Sequence, residues 1–305
     1  MDPLVEPLAR QGVEVVPFYI GRVRHNPFAI CKVFMSLRAA SQSCDIVHAQ
    51  YGSLCGFITA FLTNKKKVIS LRGSDVYPVS VGSLWFRTRL LVSRILTALS
   101  LPFFDRIIVM SKDMERLAKK PFVSASVYVI PDGIDLDKFK PMDKAQARSQ
   151  IGIAPDALEI LYVSLAHDNP IKRKDLAEKA MAVARRSLPN ARLLAPLNID
   201  HDLMPAYVNA SDLILCTSTH EGWPNCVKET LACNVPFVAT DISDLKDVAA
   251  RQPVCRVADA DAQALGQAIV DVLQDGRKMD LRSEVRDMDV NHTATRLKSL
   301  YQSLL

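Results

Sequence analysis

Several kinds of signal are missing from these 305 residues, and each absence narrows what the chain can be. No charge-free apolar run reaches 18 residues, so no segment reads as a membrane-spanning helix. Met1–Arg10 contains Asp2 and Glu6 and has no apolar centre, so it does not read as a secretory leader. The seven cysteines form no Cys-x-x-Cys or Cys/His spacing. Free thiols in a reducing compartment, the cytoplasm, suit them better than disulfides or zinc. The six histidines likewise form no ligand spacing, and no metal site is expected. No Gly-x-Gly-x-x-Gly opens a βα turn, which argues against a nicotinamide dehydrogenase. Nothing points to nucleic acid.

What is present is globular. Hydrophobic residues make up 49% and charged residues 23%, in a chain long enough for two domains with separate cores. The net charge of +5 is uneven: residues 1–140 carry 19 basic and 11 acidic side chains, and the remainder 19 and 22. A basic first half suits an anionic partner, either an acidic lipid surface or a phosphorylated acceptor, although ordinary solvated Lys and Arg would give the same count.

Short apolar β-rich runs alternate with helical patterns throughout. Strands are expected at Val13–Ile20, Asp45–Ala49, Lys67–Leu71, Arg106–Met110 and Ser126–Ile130. A second set is expected at Glu159–Ser164, Arg192–Ala195, Leu213–Thr217, Pro236–Thr240 and Cys255–Val257. Continuous rather than alternating hydrophobicity is typical of parallel strands covered on both faces. The expected class is α/β, with two Rossmann-like doubly wound domains facing across a cleft. They would span 1–135 and 136–290, with Lys278–Asp289 and His292–Leu304 helical and 291–305 crossing back to the first domain. Met1–Gln11 reads as the end of a helix running into Val13–Ile20. The strand and Gly-rich turn that usually precede such a helix are not there, so the first sheet is expected to lack its first strand.

The stretch richest in chemistry is Thr217-Ser-Thr-His-Glu221-Gly222-Trp223-Pro224-Asn225-Cys226-Val-Lys-Glu229. A strand ends, a Gly/Pro turn follows, and a helix begins near Pro224 or Asn225. Unbonded N–H groups and the helix dipole at such a start attract phosphate. Glu229 lies about one turn into the helix, where a carboxylate can accept hydrogen bonds from a ribose. Glu221, on the loop, could reach a sugar ring. The plain alternative is a strand–turn–helix with a capping Asn and two solvated carboxylates.

That block, two Glu separated by seven residues and followed by Ala232-Cys-x-x-Pro-x-Val-x-Thr-Asp241, resembles the donor site of family 4 glycosyltransferases. These are retaining, metal-independent enzymes of the two-domain GT-B fold. Asp45-Ile-Val-His48-Ala, Leu71-Arg72-Gly73-Ser74-Asp75, Arg106–Ser111 and Val129-Ile-Pro-Asp-Gly-Ile-Asp135 resemble further family segments in the right order. The resemblance implies a UDP- or GDP-linked sugar as substrate, no cofactor, and a glycan or lipid-linked acceptor, in polysaccharide or cell-envelope biosynthesis. Glu221 would touch the transferred sugar, and Glu229 the ribose. Gly222, Trp223, Pro224, Asn225 and Cys226 would line the donor. Lys172, Arg173 and Lys174 would neutralise the diphosphate, with Asn169 or His167 where relatives carry Arg. His48 would stand near the reacting sugar, and Gln50, Arg72, Gly73 and Asp75 on the acceptor side. Gln50 replaces a common His and cannot exchange protons at neutral pH. With the Gly-rich loop absent, a non-catalytic nucleotide-sugar-binding protein and a nucleotide-sugar epimerase of the same fold remain alternatives.

One more segment stands out. Residues 83–104 interleave Trp85, Phe86 and several Leu with Arg87, Arg89 and Arg94, as a helix lying in a membrane interface would. Peripheral contact with the inner face of the cytoplasmic membrane would follow. The alternative is a helix packed on its sheet with snorkelling arginines.

Overall fold

In a computed structural model of the chain the described residues are 4–21, 26–62, 65–119, 121, 123–164, 166, 168–277 and 280–305, with no account of the Pro27 side chain. They fall into two compact units, residues 1–133 with 291–305, and residues 134–290.

The first unit holds a parallel four-stranded sheet in the order β1 (Ile46–Ala49), β2 (Lys66–Leu71), β3 (Arg106–Val109), β4 (Ser126–Val129). Val68, Ile69, Leu71, Ile107 and Val109 are wholly buried, as strands covered on both faces require. Helices α1 (Val5–Arg10), α2 (Pro27–Ala40), α3 (Ser53–Ala60), α4 (Leu84–Ser100) and α5 (Lys112–Ala118) belong to this unit. Their starts follow local chemistry: the side chains of Asn26, Ser83 and Ser111 accept from Phe28, Phe86 and Met114 N–H. Val13–Ile20, expected as a strand, is not one. Val16 and Tyr19 are exposed, and the segment joins no ladder, so its β-branched and aromatic residues have no sheet to cover.

The second unit has a parallel five-stranded sheet in the order β6 (Ala191–Leu194), β5 (Leu158–Leu161), β7 (Leu213–Cys216), β8 (Phe237–Thr240), β9 (Arg256–Ala258). Its helices are α6 (Lys144–Ile151), α7 (Lys174–Ala184), α8 (Met204–Ala210), α9 (Asn225–Ala232), α10 (Leu245–Arg251) and α11 (Ala262–Asp275). One core joins Ile160, Leu213 and Leu215 to Met181 of α7 and Ile269 of α11. The helices approach closely because Gly266 leaves room: a Cβ there would stand 2.5 Å from Val183. Helix α6 is held by buried Arg148, which donates to Ala210 and Ala157 carbonyls and pairs with Asp212 at 3.1 Å. The helix expected over Lys278–Asp289 is a 3₁₀ segment, Leu281–Met288, with residues 278 and 279 outside the described set.

The final helix, α12 (Val290–Gln302), packs from residue 291 within the first unit. Lys298 Nζ donates to the Gln11 carbonyl at 2.7 Å, and the Gln11 amide donates to Thr295 Oγ1 at 3.1 Å.

Candidate functional site

Strand order decides where a ligand can bind in the second unit. From β5 the chain moves one way to β6, then returns past β5 to lay down β7 on the other side. The loops leaving β5 and β7 therefore diverge, and the crevice at their carboxyl ends is the usual binding place in an open α/β sheet. Both sequence-predicted clusters leave from these two strands.

The loop after β5 brings Lys172. Its carbonyl accepts from Thr217 Oγ1 at 2.8 Å and Tyr162 Oη at 3.2 Å, and the next residue, Arg173, turns in the left-handed region at φ +52°. Thr219 N–H donates to the Ile171 carbonyl at 2.9 Å, tying this loop to the one after β7. Held in this way, Lys172 Nζ lies 2.6 Å from Glu221 Oε1, and Ser218 Oγ donates to the same oxygen at 2.8 Å. Burial, the largest single effect, pulls the Lys172 ammonium down in pKa, but Glu221 together with the neighbouring Cys226 and Cys216 pushes it up by more, and the lysine stays charged. Arg173 instead pairs with Asp175 at 3.0 Å, and Lys174 with Glu178 at 3.2 Å, both on their own helix. Asn169 shapes the loop, accepting from Ile171 N–H at 3.1 Å; His167 lies outside the described residues.

After Glu221 the chain buries Gly222, Trp223 and Pro224 and enters α9 at Asn225. Ser243 Oγ donates to the Gly222 carbonyl at 2.8 Å and fixes the turn. No side chain caps α9; Asn225 is its exposed first residue and not a capping one. Val227 and Lys228 N–H donate to the Pro224 carbonyl at 3.1 and 3.2 Å, so among the described residues it is the Asn225 and Cys226 amides that are left to an external acceptor. Cys226 is buried beside Cys216, whose thiol is drawn down by its hydrogen bond with Cys226 against the opposing effect of burial. Glu229 is nearly buried, and its Oε1 lies 3.5 Å from Nε2 of His201. That contact, acting first as a hydrogen bond, raises the His201 pKa against the opposing effect of burial. His201 had no motif to flag it. It lies in a 3₁₀ turn, His201–Leu203, in the connection from β6 to α8, and only folding brings it to Glu229.

The remaining predicted residues are in the first unit. His48 is bound on both ring nitrogens, by Tyr301 Oη at 2.6 Å and Ser70 Oγ at 2.8 Å. Burial, and then the charge of Arg72, lower its pKa to about 3, so the ring is neutral at physiological pH. Arg72 pairs with Asp132 and also donates from Nε to the Gln50 carbonyl at 3.2 Å. His48, Gln50, Arg72 and Asp132 line a small cavity with Ser70 and Thr293. Asp75 does not face it. Its buried carboxylate accepts from the N–H groups of Gly52 at 2.9 Å, Arg72 at 3.0 Å and Gly73 at 2.8 Å, pinning the loop after β2 to the loop after β1. Gly73, at φ +128°, makes that turn possible.

Residues 2–138 match the family model described as Glycosyltransferase Family 4, and residues 158–275 the one described as Glycosyl transferases group 1. The chain is 24% identical over 249 residues to a protein of Bacillus subtilis strain 168 provisionally named as the teichuronic acid biosynthesis glycosyltransferase TuaC. That match covers 74% of this chain and 60% of TuaC. Over 154 residues the chain is 28% identical to a D-inositol 3-phosphate glycosyltransferase of Segniliparus rotundus, covering 41% of this chain and 34% of that protein. The chain therefore spans less than two thirds of either relative. Among solved structures, sucrose-phosphate synthase from Thermosynechococcus elongatus aligns with a TM-score of 0.79 at 20% identity, over 99% of this chain and 91% of that one. Anabaena HepE, solved with UDP and glucose, aligns with a TM-score of 0.70 at 17% identity, over 97% and 88%. These likenesses place both parallel-sheet units in the GT-B fold class.

Proposed function

We propose that this chain, which belongs to the group 1 glycosyltransferases of family 4, moves a sugar from a nucleoside-diphosphate donor to an acceptor with retention of configuration. The observation that carries the reading is the meeting of Lys172 and Glu221 at the β5/β7 divergence, ahead of an uncapped helix start with Glu229 one turn inside it. The diphosphate sits at the first turn of α9, on the N–H groups of Asn225 and Cys226. Lys172 exchanges Glu221 for the departing phosphate, and its fixed charge stabilises what builds up there in the transition state. Glu221, released, accepts hydrogen bonds from the sugar. Glu229 takes the ribose hydroxyls, and Trp223 walls the pocket. Because Arg173 and Lys174 pair with carboxylates of α7 whereas Lys172 pairs with Glu221 on the loop after β7, the neutralising role falls on Lys172. No cofactor is needed, since the charge is met by a lysine and a helix terminus.

The acceptor is a glycan or a lipid-linked saccharide whose anionic part meets Arg72 and Gln50, with His48 positioning them. The binding by HepE of UDP and glucose, and the inositol phosphate in the name of the Segniliparus relative, support a nucleotide donor and a phosphorylated acceptor. The enzyme works in the cytoplasm in cell-envelope polysaccharide synthesis and touches the membrane through residues 83–104. Among the described residues no helix is long and apolar enough to cross a membrane.

Slow breakdown of the donor by water tests the reading without an acceptor. Proton NMR of UDP- and GDP-sugars incubated with the chain should show the α-anomer of the sugar forming first from an α-linked donor. Formation of the β-anomer first would exclude retention.

A further inference from the structure

Helix α4 is built inside out. The side chains it buries are Leu90, Ser93, Thr97 and Ser100, spaced three and four apart on one face and mostly polar. The face opposite carries Leu84, Trp85, Leu91, Val92, Ile95 and Leu99, each between 49% and 78% exposed. Close packing against α3 explains the inner face. A Cβ on Gly52 would come within 2.3 Å of Thr97 Oγ1, and one on Gly56 within 3.3 Å of Ser100 Oγ, so only small side chains fit between the helices. Their hydroxyls are used internally: Ser53 N–H donates to Thr97 Oγ1 at 2.7 Å, and Ser100 Oγ to the Thr97 carbonyl at 2.7 Å. Nothing in that packing explains the outer face. Phe103, 52% exposed, extends the row to Phe61, their ring centroids 6.1 Å apart. Isolated exposed apolar residues are ordinary, but eight on and beside one helix face mark a contact surface.

Charge selects the partner. Residues 76–104 contain no Asp or Glu, while Arg87 and Arg89 are exposed beside the row. The Arg89 guanidinium lies over the Trp85 ring, 5.2 Å from its centroid. A second copy meeting this face through a two-fold axis would bring four arginines together with no carboxylate from either segment. An acidic bilayer supplies both acyl chains for the row and phosphates for the arginines. We propose that the outer face of α4 docks on an anionic lipid surface, with the helix in the plane of the interface and Trp85, Leu91 and Ile95 sunk below the phosphate level. This deepens the membrane contact put forward above and is independent of the donor site.

The chain carries its own probe. Of its two tryptophans Trp223 is buried and Trp85 is 68% exposed, so a change in emission on adding vesicles reports Trp85. The full chain is mixed with vesicles of phosphatidylcholine alone or with three parts in ten phosphatidylglycerol, and flotation and fluorescence are read together. Binding to the acidic vesicles with a blue shift, weakened by salt and much lower on neutral vesicles, is expected. Arg87→Gln with Arg89→Gln should lower partitioning about fivefold per arginine. Leu91→Ser with Ile95→Ser should abolish the blue shift. Both variants change exposed residues, and circular dichroism and UDP affinity should match the parent. No flotation of the folded chain, equal binding to both vesicle types, or unchanged binding in both variants would overturn the proposal. So would a dimer in solution that Leu91→Ser with Ile95→Ser dissolves. Vesicle binding without any nucleotide binding would remove the donor-site reading and leave this one standing; the reverse result would do the opposite.

Discussion

Replacing Lys172 by Met removes one charge and keeps most of the stem. The ammonium is 2.6 Å from Glu221, in a pair whose side chains are 25% and 20% exposed. It is already charged and partly shielded from water, and an arriving phosphate takes it over from Glu221. A charge-assisted hydrogen bond of this kind contributes about 1.5–3 kcal/mol. That corresponds to about a tenfold to 150-fold change in Kd. UDP or GDP, whichever the chain prefers, should weaken by that factor in Lys172→Met, and the matching nucleoside should bind as before. Arg173→Met and Lys174→Met should each change diphosphate binding by less than about threefold, because both cations pair with exposed carboxylates of α7 and not with Glu221. Calorimetry of nucleotide and nucleoside against the three variants reads this directly. Equal losses for nucleotide and nucleoside would mean that Lys172 only holds the pocket's shape. An unchanged diphosphate affinity, or a larger loss in Arg173→Met, would refute the assignment.

Two further predictions concern the first unit. A methyl on Gly56 would meet Ile69 Cδ1 at 2.7 Å, so Gly56→Ala should destabilise by about 1–3 kcal/mol. Ile69→Val deletes that very atom, so the double variant should melt no lower than Gly56→Ala alone, and strictly additive losses would contradict the packing described. His48 takes a proton near pH 3 when folded and near 6.5 when unfolded, so the unfolded chain binds more protons between those values. Stability from this group is full above pH 6.5 and is lost as pH falls towards 3. Urea midpoints of the parent and His48→Gln should differ most at neutral pH and converge on acidification; a gap independent of pH would show that His48 does not titrate in this way.

The alternation of strands and helices could be read from the sequence because parallel strands buried on two faces leave uninterrupted apolar runs. The Glu221–Glu229 block could be read because its spacing alone puts one carboxylate on a loop and the other a turn into a helix. Which of three adjacent cations meets Glu221 could not. That depends on a left-handed Arg173 and on two hydroxyls that grip the Lys172 carbonyl, one from within β7's exit loop and one from Tyr162. Asp75 fits an acceptor-side motif by type and position, yet beside its local partners Arg72 and Gly73 it takes a third, Gly52, from a loop more than twenty residues away. Val13–Ile20 has strand composition and no strand to pair with, since a ladder is a property of two segments. In α4 a helical period was visible, but which side faced inward was set by the glycines of α3.

The central claim is that the loop after β7 and the start of α9 form a nucleotide-sugar site. The most direct measurement is a calorimetric titration of the chain with UDP, GDP, UDP-glucose, UDP-N-acetylglucosamine and GDP-mannose, beside a Glu229→Ala variant. Selective binding of one nucleotide, weakened at least about tenfold in the variant through loss of charged hydrogen bonds to the ribose, is the expected result. Binding of none by a folded chain, or an affinity unaltered in Glu229→Ala, would contradict it.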